Sequence, residues 1–220
     1  MITETWLSVF DPMHPAPLET SDCDITAKFW TSANSPTPGG PLAARNLYEL
    51  FVHDLSALVS GACQANRAAH TLYNCLPPEQ IGLRRIVLGL ARASRSCLPH
   101  LPQQLIDEGL ILPAAHEATV CALLSTIHPE SCGRTFEPWS VIGARILSVF
   151  HKVALHLEAQ TVDAAENAGM LGSDSLQAAL RNWGDTWNGY IVELRSREQG
   201  FRAQAYAAGL VTGHPVWQFA

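Results

Sequence analysis

DSLQAALRNWGDTWNGYIVELRSREQGFRAQAYAAG, residues 174–209, is the stretch that decides the fold. Within it Leu176, Leu180, Trp183, Trp187, Tyr190, Leu194, Phe201 and Ala205 recur every three or four residues. That spacing puts them on one face of a helix of about ten turns. A stripe so long and bulky needs a continuous apolar partner, from the same chain or from a second molecule. Asp174 is placed to cap the helix, with Gln177 three residues on as in a capping box. The helix is expected to end near Gly209.

The preceding sequence has the same character. Pro41 suits a first helical position. From there Leu47, Phe51, Leu55, Leu58, Ala62, Ala65, Ala69 and Leu72 keep a 3.6-residue period up to Pro77 and Pro78, with Gly61 expected to loosen the helix midway. A second helix follows Pro78, with Glu79 in its first turn and Ile81, Leu83, Ile86, Val87, Leu90 and Leu98 on its apolar side. Short helices are expected over about 103–110 and 114–127. A long one starts at Pro138 and carries Trp139, Ile142, Ile146, Val149, Val153 and Leu157 to about Asn167, where Gly169 and Gly172 mark its end.

The expected architecture is all-α: an irregular bundle of about five to six helices, two of them long. Residues 1–40 differ, because Pro12, Pro15, Pro17, Pro36 and Pro38 interrupt any period while Trp6, Phe10, Phe29 and Trp30 are scattered among them. They read as an irregular Pro-rich arm anchored on the body. The domain reading is therefore an arm over 1–40, a helical domain over 41–210 and a tail over 211–220.

Composition narrows the function. Hydrophobic residues make up 47% and charged residues 15%, against a typical charged share of about 25%, so part of the surface is expected to be covered by a partner. A net charge of −6 argues against a nucleic-acid binder that works by neutralising phosphates. No uncharged apolar run approaches the roughly 18–20 residues of a membrane span. The six cysteines have no zinc-site spacing, and Met1–Phe10 carries no Lys or Arg, so the thiols read as reduced and the protein as cytoplasmic.

No catalytic or cofactor motif stands out, and enzyme status stays open. Glu49 with His53, and His151 with His156 and Glu158, are weighed as metal ligands. A bundle di-metal site wants a Glu-x-x-His on each of two helices, which is missing, so no metal is expected. By helical angle His156 lies at the border of the Val149–Val153 stripe and His151 points to solvent. No cysteine or serine lies in a nucleophile motif.

Two function classes remain. The first is a non-catalytic helical binding or adaptor protein, a subunit or effector, that engages a protein partner or its own copy. The heptad-like 176, 180, 183, 187, 190, 194 spacing favours self-association. The second is an enzyme or carrier of a small apolar or anionic ligand. Its interhelical pocket would be built from Trp183, Trp187, Tyr190 and His156, with Arg85 or Arg92 holding an anionic group. Arg85, Arg92 and Arg95 fall within about 60 degrees on the second helix, which equally fits a solvated outer face. Gly184 and Gly189 beside the aromatics suggest close approach by a backbone or ligand.

Overall fold

The computed structural model describes residues 42–209, apart from 97, 99, 108 and 128–137. The expected arm over 1–40 and tail over 211–220 lie outside the described residues. Six helices are present: α1 Leu42–Cys75, α2 Ile81–Arg95, α3 Leu101–Asp107, α4 Ala118–Ser125, α5 Trp139–Met170 and α6 Asp174–Ala207. No strand occurs among the described residues, and the all-α reading holds.

The longest helices, α1 and α6, have 34 residues each, or about 50 Å at 1.5 Å per residue. In α1, Phe51, Leu55, Leu58, Ala62, Ala65, Ala69 and Leu72 are all buried, as their period demands. The helix runs straight through Gly61. A Cβ there would lie 2.9 Å from Leu157 Cδ2 and 3.3 Å from Val120 Cγ2, so Gly61 serves the close approach of α4 and α5 rather than loosening α1.

The expected boundaries shift where side chains act differently. Gln80 N–H donates to Pro77 O in a turn, so α2 begins at Ile81 and leaves Glu79 outside its first turn. Ile81, expected on the apolar side, is exposed. The second short helix opens at Ala118 rather than near 114, because the Glu117 carboxylate caps it by accepting the Val120 N–H. Asp174 is not the cap of α6. That position falls to Ser173, and Gln177 donates instead to Ala165 O of α5 at 3.2 Å.

The turn between α5 and α6 holds the fold together. Gly172 takes φ +79, and Ser173 N–H reaches back to Ala168 O at 3.0 Å, closing α5 in the way left-handed glycine caps do. The chain reverses within three residues, and α5 and α6 form the most extensive helix pair.

Helix directions follow from local geometry. The short Leu76–Gln80 turn makes α1 and α2 antiparallel. On α6, Trp183 and Tyr190 donate to carbonyls of Ala93 and Ile86 on α2, in reverse order, so α2 and α6 are antiparallel too. Hence α5 runs parallel to α2, and residues 96–138, which include α3 and α4, must cross from one end of the bundle to the other. The core is a four-helix ring, α1–α2–α6–α5, with α4 against α1 and α5 and α3 against α6.

By length and composition α5 is long and apolar enough to cross a bilayer, with mean hydropathy 1.3 over its best 18 residues. Half of that window is buried inside the bundle, where it packs on α1, α4 and α6.

Glycine positions give a stability test. A Cβ at Gly89 would lie 2.7 Å from Cε2 of Tyr190, whose hydroxyl is already tied to Ile86 O, whereas one at Gly189 meets nothing within 4 Å. Thermal unfolding is expected to show Gly89→Ala destabilised by about 1–3 kcal/mol through overpacking. Gly189→Ala is expected to gain up to about 1 kcal/mol of helix propensity. Equal effects of the two changes would contradict this packing.

Candidate functional site

Trp183, Trp187 and Tyr190 of α6 are buried, and what covers their stripe is the same chain. Trp183 and Trp187 are almost fully buried, with ring centroids 6.3 Å apart and planes tilted by 33°. Trp183 Nε1–H donates to Ala93 O at 2.8 Å. That carbonyl is one of the last four of α2, which have no acceptor role inside their own helix, so the indole caps the C-terminus of α2. Ser96 Oγ donates to the same oxygen at 3.1 Å.

Tyr190 is buried and its O–H donates to Ile86 O at 2.9 Å. Burial first, then the Glu193 carboxylate, push its phenol well above the ordinary range, with a Leu90 backbone hydrogen bond pulling the other way. It stays protonated and donating. Trp187 Nε1–H is buried without a hydrogen-bond partner. Two open clefts among the described residues lie elsewhere, one beside Phe150 and one beside Phe201.

The glycines placed beside these aromatics do not provide the close approach expected of them. A Cβ at Gly184 would make only an ordinary 3.9 Å contact with Thr161, and Gly189 faces open space. The tight contacts fall on the facing helices, at Gly89 under Tyr190 and at Gly143 under the ring of Phe201. A single-helix periodicity cannot see across an interface, so the sequence pointed to the wrong partner of each pair.

His156 turns to a different neighbour. Its Nε2 lies 3.0 Å from Glu117 Oε1, and Glu117 is buried while the imidazole is part-exposed, the boundary position expected for it. The other Glu117 oxygen caps α4, so one carboxylate joins α4 to α5. Arg85 and Arg92 are exposed on the outer side of α2, and Arg95 is half-buried. Arg84, beside them, places its guanidinium over the Tyr73 ring at 4.1 Å from the centroid. His53, weighed as a metal ligand, lies 3.3 Å from its neighbour Asp54. No group of three or more metal-type ligands occurs among the described residues.

His151 is the clearest correction. Expected in solvent, it is 7% exposed and sits between α5 and α6. Arg195 Nε donates to His151 Nε2 at 3.1 Å, which leaves the ring proton on Nδ1, 3.9 Å from Glu198 Oε2. Glu198, also buried, is paired with Arg202 one turn on. The helical angle of His151 was read correctly as off the apolar stripe. The missing signal was on α6, where buried Glu198 and the side chains of Arg195 and Arg202 come to meet the ring; Arg195 satisfies Nε2, while Nδ1 stays without a hydrogen-bond partner among the described residues.

Burial first, then the charge of Arg195, lower the His151 pKa; Arg202 adds to this and Glu198 opposes it. The folded value therefore lies below the unfolded one of about 6.5. Unfolded chains take up a proton that native chains refuse, so stability falls as pH drops through the unfolded value. His151→Gln keeps an acceptor for Arg195 and cannot titrate. The urea midpoint of the variant is expected to fall less than that of the parent between about pH 7.5 and about pH 5.5. Parallel acid slopes would contradict the assignment.

No family model matches the chain, and no curated protein matches it. Solved structures do resemble it. The stress protein YciF of E. coli superposes with a TM-score of 0.62 at 16% identity, covering 71% of this chain and 97% of its own. YcfI of Rhodopseudomonas palustris, described as a candidate structural protein, gives 0.58 at 15% identity over 68% and 92%. At such identities the likeness speaks for the helical fold alone.

Proposed function

We propose that the chain is a non-catalytic helical binding protein, a subunit or adaptor, whose contact surface is the outer face of α5. The observation that carries this reading is an apolar stripe left on that face: Leu155 is 38% exposed, Val162 42% and Met170 65%, with Ala159 exposed between them. An apolar face left exposed on a helix that already packs on α1, α4 and α6 has surface to spare for a partner. The acid and base groups at the helix contacts support the same reading, since Glu117, His151, His156 and Glu198 each hold one helix against another or cap a helix end.

The first occupant is a second copy of the chain. Leu155, Ala159 and Val162 follow the four-then-three spacing that lets a helix pack on its own image. Lys152 precedes this Leu155–Val162 part of the stripe, and Asp163 and Glu166 follow it, ahead of Met170. An antiparallel pairing centred on Ala159 sets Lys152 beside Glu166 of the partner subunit, so apolar contact and charge agree on a twofold arrangement. The aromatic stripe of α6 is spent inside the chain and is not needed for this contact. The reading takes the protein as cytoplasmic, with reduced thiols; Cys63, Cys75 and Cys121 are free, and burial pushes the Cys63 thiol up to about 11.

Light scattering and native mass spectrometry of the full chain test it. The expected species is twice the 23.9 kDa chain mass. Leu155→Glu combined with Val162→Glu is expected to give a monomer of unchanged helical circular dichroism. A monomeric parent at high concentration, or a dimer indifferent to both changes, would overturn the proposal.

A further inference from the structure

A second surface feature lies apart from the α5 stripe. Between α1 and α4, floored by α5, is an open cleft of about 320 Å³, at the small end of the roughly 300–1,000 Å³ typical of small-molecule sites. Its floor is apolar, made of Leu72 and the almost fully buried Phe150, with Leu124 on one wall. Three polar residues of α1 line it, Gln64, Arg67 and Thr71, one turn apart, with the Thr71 hydroxyl donating to Arg67 O.

Among the described residues nothing takes up the charge of Arg67. Arg67 is exposed, and no carboxylate among the described residues pairs with it. Gln64 is only partly satisfied. Its Nε2 lies 3.3 Å from Ser60 Oγ and 3.5 Å from His116 Nδ1, while its Oε1 is buried without a partner. An amide in that state can turn either its donor or its acceptor toward a polar head. In a chain of net charge −6, a lone guanidinium beside an apolar trough has a narrow complement. A divalent cation is repelled, a diphosphate would need further cations, and a neutral lipid leaves the guanidinium unused.

We infer that this cleft binds a single-chain amphipathic carboxylate, its head on Arg67 and its alkyl tail along Leu72, Leu124 and Phe150. The guanidinium accepts the carboxylate as a two-pronged hydrogen-bond donor. The tail gains by taking apolar surface out of water. The site differs from the pocket of Trp183, Trp187, Tyr190 and His156 anticipated in the sequence, and it takes the anionic, apolar ligand class with an arginine of α1 in place of Arg85 or Arg92.

The experiment is titration calorimetry of the full chain with decanoate below its micelle concentration, with decanol as the uncharged tail control. Decanoate is expected to bind one per chain, and Arg67→Gln to weaken it by about tenfold or more, the size of a lost charge-assisted hydrogen bond. Decanol is expected to bind more weakly and to ignore Arg67→Gln. Ala68→Phe, which fills the cleft from α1, is expected to abolish binding with Arg67 intact, while Arg85→Gln on the exposed side of α2 leaves it unchanged. Circular dichroism checks that each variant keeps its helices. Three results would overturn the inference: no decanoate binding at about millimolar concentration, equal affinity in the parent and Arg67→Gln, or equal losses from Arg67→Gln and Arg85→Gln.

Discussion

The fold depends on the seam between α2 and α6, where large aromatic side chains are buried without stranding most of their polar atoms. Trp183 and Tyr190 each fill the core and each hand a hydrogen to a carbonyl of α2. Burying such a group without a partner costs about 1–3 kcal/mol, so the two bonds fix where α2 must lie along α6. Because the donors are seven residues apart on one helix and the acceptors seven apart on the other, register and direction are set together. Everything else follows from that seam: α5 is carried by its short turn to α6, α1 by its short turn to α2, and the intervening segment has to cross the bundle.

Much of this was legible beforehand. The stripe from Leu176 to Ala205, the α1 period ending at Pro77 and the α5 stripe from Ile142 to Leu157 all identify buried faces, because a 3.6-residue period repeated over many turns leaves one geometric solution. What failed were inferences that need knowledge of a neighbour. Gly61 does not break α1 because α4 and α5 press against it, Gln177 bonds across to α5 rather than capping its own helix, and His151 is buried because charges from α6 come to meet it. The partner of the aromatic stripe could be narrowed to the same chain or another, but only the packing decides between them.

The polar residues show a consistent division of labour. Glu117 caps α4 and holds His156, and the His151, Arg195, Glu198 and Arg202 set bolts the far half of α6 to α5. Breaking a buried pair of this kind is costly because it leaves a charge without compensation, even where the intact pair adds little net stability. Such groups explain how a chain with few charges keeps long helices in one register. Among the described residues they also leave Arg67, beside an apolar cleft, and the outer face of α5 as places where the surface is not already committed to the fold.

The most direct test of the central claim is the hydrogen exchange of the indole N–H groups, followed by NMR at two protein concentrations. The account predicts that Trp183 Nε1–H exchanges only as slowly as global unfolding permits, and at a rate independent of concentration, since its acceptor belongs to the same chain. Fast exchange, or protection that grows with concentration, would contradict it and would make the aromatic stripe a seam between molecules.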